Sequence, residues 1–342
     1  MIQLLITYAI AAAGVVLFKA LGLPLPWLLG PIFACLSAAL MGAPLRGVKI
    51  VNDAMRSILG VAVGATFTVT LLVSMADMWT TLVLIPLMVF LIGMIGVPYF
   101  QRLWGFDAAT SYYSAMPGGL QDMLAFGEEA GGDVRALSLI HATRVMVIVV
   151  ALPFVLQGYW ALDLSNPPGA PASSIGPWQL GLMVFCGVVG WQVAKAVGMF
   201  GASILGPMLL AAIFALLDIL QNRPPAEAIW MAQFFIGMTV GTKYVGVTMP
   251  EVRRDVTAAL GFCVILILLS LGFAEVIYLI GLAPPLETLL AFAPGGQAEM
   301  TVLALVVGAD MAFVVAHHVL RIVVVILGAP IAARMFKTKP VG

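Results

Sequence analysis

Pro117-Gly118-Gly119 recurs 177 residues later as Pro294-Gly295-Gly296, each time in the middle of an apolar stretch. The same offset carries Asp122-Met123 onto Glu299-Met300, Gly131 onto Gly308, Asp133 onto Asp310, His141 onto His318, Arg144 onto Arg321 and Pro153 onto Pro330. Upstream, Gly60 and Gly64 fall on Gly237 and Gly241 at 177, and Lys19, Gly30 and Pro31 on Lys195, Gly206 and Pro207 at 176. Leu matches Leu by chance in any apolar chain, but Pro, Gly, Asp, His and Arg do not align that way at one offset. This internal duplication is the strongest signal in the sequence.

The solvent of that fold is a bilayer. Of the 342 residues, 62% are hydrophobic and 9% charged, far from the half apolar and quarter charged of soluble domains. Sixteen Lys and Arg balance sixteen Asp and Glu, which leaves no basic stripe for nucleic acid and no acidic tail. Cys35, Cys186 and Cys263 sit singly inside apolar runs, without disulfide pairing or metal-ligand spacing. A bilayer core about 30 Å thick needs roughly 20 apolar residues per helix. Ten such runs start near residues 2, 25, 55, 79 and 134 and again near 178, 202, 229, 257 and 311. Residues 1–157 form repeat one and 178–336 repeat two, joined by a Pro-rich linker over 158–177 that contains Ser165-Asn166-Pro167-Pro168-Gly169. Met1–Leu21 lacks a basic flank and has a partner in Gln179–Met199, so it is expected to be a retained first helix rather than a signal peptide.

Asp107–Glu129 and Pro285–Val307 are the two stretches that Pro-Gly-Gly interrupts. Each limb, about nine residues and roughly 14 Å long, reaches the midplane, so length permits either a re-entrant hairpin or a full crossing. Loop charge favours hairpins. With ten crossings and two hairpins, both termini are cytoplasmic and twelve Lys and Arg lie inside against two outside; full crossings leave eight against six. Five crossings per repeat turn the second copy upside down. The expected fold is an all-α integral membrane protein of two inverted five-helix repeats, each with a Pro-Gly-Gly hairpin or broken helix, as secondary transporters are built.

A break at membrane depth frees backbone groups that lipid cannot satisfy, and it persists where protein or a water-filled cavity lines it. Gly118, Gly119, Gly295 and Gly296 would present backbone N–H groups to an anion, with Gln121 and Gln297 as neutral partners. The bland alternative is a buried elbow. Asp122 and Glu299 fall in the first turn after each break, where acidic residues compensate the helix dipole in any helix. At membrane depth they are equally candidates for coupling to H⁺ or Na⁺, together with His141 and His318. Arg144 and Arg321 stand three residues beyond those histidines on the same helix face. They read either as buried partners of the two carboxylates or as forks for a substrate carboxylate. Gly131 and Gly308 suit helix C-caps, and Asp133 and Asp310 the N-caps that follow. His317 points about 100° away from His318, so the two do not share a metal. Gly60/Gly64 and Gly237/Gly241 read as close helix packing; Gly30-Pro31 and Gly206-Pro207 read as matched kinks.

Pro26-Trp27-Leu28-Leu29-Gly30-Pro31, Ala115-Met116-Pro117-Gly118-Gly119, and Gly131-Gly132-Asp133-Val134-Arg135 with Arg144, together with their second copies, resemble the AbrB family of duplicated bacterial membrane proteins over nearly the whole chain. That family is similar to the cation/proton antiporter and anion transporter grouping, which implies inverted repeats and transport. Its members carry labels such as ammonia monooxygenase or regulator. This chain has neither the ligand cluster of a copper oxygenase nor a DNA-binding segment outside its spans. The expectation is an inner-membrane secondary transporter, not an enzyme and without cofactor or metal, moving a small organic carboxylate with H⁺ or Na⁺. The competing expectation is a non-transporting membrane sensor or regulator. Its partners are the solute, the coupling ion and the bilayer, with no nucleic acid; a homodimer is compatible with the sequence.

Overall fold

The computed structural model describes residues 2–69, 78–162, 164, 168–199 and 201–335; the side chains of Gln121 and of residues 329–335 are outside the description. Ser165-Asn166-Pro167 of the linker and Lys337 and Lys339 of the charge count therefore lie outside the described residues. The described residues are helical, without strands.

Among the described residues the longer helices fall into two runs of seven. The first comprises α1 (Ile2–Ala20), α2 (Pro26–Leu40), α3 (Lys49–Gly64), α4 (Trp79–Leu103), α5 (Ala108–Ala115), α6 (Leu120–Glu129) and α7 (Val134–Trp160). The second comprises α8 (Pro177–Ala196), α9 (Ala202–Leu216), α10 (Ala226–Gly241), α11 (Met249–Leu279), α12 (Pro285–Phe292), α13 (Gln297–Val307) and α14 (Met311–Met335). Each element of the first run has its counterpart seven labels on. α1, α4, α7, α8, α11 and α14 are long and apolar enough to cross a membrane. Their outward faces carry Val16, Phe90, Val184 and Val264, more than half exposed, as lipid contact requires and water would not favour. α2 and α9 have 15 residues and α3 and α10 have 16. At 1.5 Å per residue each is about 22–24 Å, short of a 30 Å core.

The chain packs as two compact units, each drawing on both sequence repeats. The first holds Met1–Asp77, Val150–Gly246 and Ala298–Ala312, and the second Met78–Val149, Val247–Gln297 and Phe313–Gly342.

In the first unit the duplication reappears as duplicated contacts. A Cβ on Gly60 would collide with the Ile204 carbonyl and one on Gly64 with the Met208 carbonyl. In the other copy Gly237 meets the Leu28 carbonyl and Gly241 meets Ile32 and Cys35. α3 thus lies against α9 as α10 lies against α2. Gly14 approaches Gly30, and Gly190 approaches Gly206, by the same rule, so the glycine of each Gly-Pro pair serves helix contact as well as sitting beside a proline inside its helix. The small-residue pattern is a packing device. One detail breaks the match. Gly201 precedes α9 at φ 59°, a left-handed position natural to glycine, whereas Leu25 holds the same place before α2 at φ 45°. That costs about 1–2 kcal/mol, and Leu25 is nonetheless buried.

In the second unit α4 and α11 share an aromatic core. The Phe100 and Phe262 rings lie tilted at 60° with centroids 4.9 Å apart, Gly96 admits the Phe262 ring, and Tyr99 Oη donates to the Ala258 carbonyl at 2.9 Å. Arg135 on α7 pairs with Glu251 on α11 at 2.7 Å, so those helices start at the same end.

Candidate functional site

Both Pro-Gly-Gly sequences break their helices as expected. α5 ends at Ala115 and α6 begins at Leu120; α12 ends at Phe292 and α13 begins at Gln297. Pro117, Gly118, Pro294 and Gly295 are buried, while Gly119, Gly296 and Gln297 are partly so. A helix that stops inside apolar surroundings leaves its last carbonyls without partners. A buried carbonyl without a donor is expensive.

The side chains that meet this demand are His141, Arg144, His318 and Arg321. Arg144 Nη1 donates to the Met116 carbonyl at 3.1 Å and Nη2 to the Gly118 carbonyl at 2.9 Å. Arg321 Nη1 donates to Ala293 at 2.8 Å and Nη2 to Gly295 at 2.9 Å. His141 Nε2 bonds the Tyr113 carbonyl at 3.0 Å, and His318 Nε2 the Leu290 carbonyl at 2.9 Å. In each copy the imidazole reaches back 28 residues and the guanidinium 28 and 26. A planar guanidinium with donors in a fixed fork suits two carbonyls on successive turns of a broken backbone. Its charge also opposes the negative end of the half-helix dipole.

The pairing with Asp122 and Glu299 read from the sequence does not describe this geometry, in which both guanidinium groups donate to carbonyls. Among the described residues neither guanidinium pairs with a carboxylate. Both arginines are all but fully buried, at 3% and 2% exposure, and the Nε of each is buried without a partner. The first break packs against the last helix as well: a Cβ on Gly118 would lie 2.9 Å from Val325 Cγ1 and 2.7 Å from Met123 Cε. Both guanidinium groups thus lie buried in the second unit, each turned onto the carbonyls that its own helix break frees.

Carbonyl oxygens only accept, so the hydrogen bonds assign Nε2–H to both imidazoles. His318 Nδ1 then accepts from Arg321 Nη2 at 3.1 Å, while His141 Nδ1 is buried without a partner. His317 bonds Thr81 Oγ1 at 2.9 Å and the Phe313 carbonyl at 2.7 Å, which accounts for both ring nitrogens.

Asp122 and Glu299 stand in the first turn of α6 and α13. Asp122 folds back over Gly119, where a Cβ would lie 2.5 Å from its Oδ2. Glu299 is 4% exposed. The Gln121 side chain is outside the description. The cap readings hold at the first turn: Gly131 adopts φ 80° and Asp133 Oδ1 accepts from the N–H groups of Arg135 and Ala136. Gly308 adopts φ 69°.

Several features were not read from the sequence. α5 is polar, with Thr110, Ser111 and Ser114 fully buried and Ser114 Oγ without a partner; its counterpart α12 is mostly apolar. Asp107 caps α5 through the Thr110 N–H at 2.8 Å, and Thr110 Oγ1 accepts the Asp133 N–H at 2.8 Å. The signal available was the hydroxyl run Thr110-Ser111-Tyr112-Tyr113-Ser114 in an otherwise apolar limb.

A duplicated, all-helical chain with apolar outer faces and two buried helix breaks defines the class: a helical membrane protein of repeated architecture. Within that class the chain belongs to the AbrB family, whose model, described as "Transition state regulatory protein AbrB", matches residues 27–337. It is 28% identical to the "Uncharacterized protein YhjN" of Bacillus subtilis (strain 168), over 94% of this chain and 90% of that protein. It is 24% identical to the "Putative regulator AbrB" of Escherichia coli (strain K12), over 94% of this chain and 92% of that one.

Proposed function

We propose that this protein is an inner-membrane secondary transporter of a small organic carboxylate, coupled to H⁺ or Na⁺, with the solute held at the two Pro-Gly-Gly breaks. The observation that carries this reading is the pair of buried guanidinium groups in the second unit, each at a helix break and without acidic partners among the described residues. Two unneutralised cations in a low-dielectric interior are costly, and a bound anion removes that cost. Each arginine already offsets the carbonyl end of a half-helix, so the N–H ends of α6 and α13 remain as attractive ends for an anion. Asp122, in the first turn of α6, repels that anion until protonated or bound to a cation, which ties solute to ion. The unpartnered His141 Nδ1 is a second place for a proton.

The repeats are inverted and the broken segments are hairpins in this proposal, with both termini cytoplasmic. Support comes from the charge count and from Thr110 Oγ1 accepting the Asp133 N–H, which joins the outer end of α5 to the turn after α6. A second reading, a sensor that binds the same anion without moving it, draws on the word regulator in the name of the E. coli relative.

Proteoliposomes given a panel of labelled mono- and dicarboxylates under an imposed proton or sodium gradient test the proposal. Saturable gradient-driven uptake is expected for at least one, with loss in Arg144→Gln and Arg321→Gln. Carboxylate binding without flux under either gradient would favour the sensor. Absence of both flux and binding would end the anion reading.

A further inference from the structure

We propose a second binding site, in the first unit, for a molecule that joins one anionic group to a compact apolar body. A cavity of about 140 Å³ lies where the end of α1 and the start of α2 meet α10, lined by Lys19, Leu25, Trp27, Trp230 and Gln233, with Val306 of α13. A cavity of roughly 150 Å³ accommodates a benzene-sized molecule.

Its polar groups are donors lacking acceptors. The Lys19 ammonium stands 4.6 Å over the Trp27 ring, and neither it nor the two indole N–H groups has a hydrogen-bond acceptor among the described residues. Gln233 is 2% exposed, lines the cavity, and forms no hydrogen bond to any described residue. A buried amide of that kind has a strong demand for a partner. Stacked Trp27 and Trp230, with centroids 6.0 Å apart, supply an apolar wall. An acceptor-only group, carboxylate or phosphate, on an apolar stem satisfies the ammonium and the amide together.

The duplication argues that this pocket is not scaffold. Lys195 retains the lysine of repeat one, but Ser203, Asp53 and Arg56 stand where Trp27, Trp230 and Gln233 would have their counterparts. Gly201 stands for the left-handed Leu25. The contact of α2 with α10 is repeated by α9 with α3, so helix packing alone does not call for the tryptophans, the glutamine or the leucine. The chemistry fits a free solute such as an aromatic monocarboxylate, and equally the head region of an anionic phospholipid.

Two arms separate those sources. In the first, full-length protein in phosphatidylcholine nanodiscs is titrated with benzoate while tryptophan fluorescence is read, with benzyl alcohol as the uncharged control. In the second, phosphatidylglycerol retained through purification is quantified by mass spectrometry. A saturable benzoate response that benzyl alcohol does not produce, weakened about tenfold or more in Lys19→Gln, is the free-solute result; one charge-assisted hydrogen bond has that weight. Phosphatidylglycerol retention that falls in Lys19→Gln is the lipid result, and supports the same site. Gln233→Glu, which places a like charge in the pocket, should abolish whichever signal is present, and Gln233→Met should weaken it if Lys19→Gln does not fold. Neither signal depending on Lys19 or Gln233 in variants that elute as single species would overturn the proposal. Because dependence on Lys19 is the readout, the outcome does not turn on whether the two breaks carry a solute.

Discussion

The two helix breaks solve one problem with the same parts and then diverge. In both, a histidine and an arginine on the closing helix donate to three carbonyls of the interrupted segment, at identical sequence separations. The second break is more fully tied. His318 Nδ1 takes a bond from Arg321, whereas its counterpart has none. At the first break His141 Nδ1 has no partner, and the half-helix before the break carries buried hydroxyls. Positions that satisfy the backbone are the ones kept in common. Those left open are on one side, which suits a single asymmetric ligand rather than two equivalent ones.

The largest effect should come from the arginines. Arg321→Ala removes donors from two carbonyls and from His318, whereas Arg144→Ala removes donors from two carbonyls alone. Each is expected to destabilise by about 3–5 kcal/mol, with Arg321 the greater, as for a broken buried charged contact. Thermal unfolding in detergent measures the order, and equal losses would remove the distinction between the breaks.

A smaller, more selective effect belongs to the histidines. His141→Gln should fold and flatten the pH dependence of solute binding, because it deletes the one imidazole nitrogen free to take a proton. His318→Gln should lower stability by about 1 kcal/mol, the net weight of a hydrogen bond, and leave the pH profile in place. Binding followed from acid to neutral pH decides it, and the reverse pattern would move the proton site to the second copy.

The smallest effect is at the Arg135–Glu251 pair, which has no counterpart in repeat two, where Ala312 replaces the arginine. Glu251→Gln should cost less than about 1 kcal/mol and lose that effect in high salt, since the Arg135 side chain is 44% exposed. A larger, salt-independent loss would make the pair a structural lock peculiar to one copy.

Much of the molecule was legible before any coordinates. Constant-offset matches located both breaks, the caps at Gly131, Asp133 and Gly308, and the close helix contacts at Gly60, Gly64, Gly237 and Gly241. These follow from local rules: Pro and Gly interrupt helices, left-handed positions favour Gly, short polar side chains cap, and small residues let backbones approach. The pairing of Arg144 and Arg321 was misjudged for a physical reason. Sequence shows that a buried cation needs a partner, but not that carbonyls freed by a break 26 to 28 residues earlier would be nearer than the carboxylate in the next turn.

The sequence by itself determined that the chain is apolar, helical, duplicated and twice broken, because composition, spacing and repetition act on each segment alone. Only the tertiary structure decided which groups meet. It turned two guanidinium groups onto carbonyls 26 to 28 residues back, tied one imidazole nitrogen and left its twin open. It also gathered Lys19, Trp27, Trp230 and Gln233 around one cavity. Those outcomes depend on how helices of both repeats pack into shared units, and burial turns each unmet donor there into a demand for a partner.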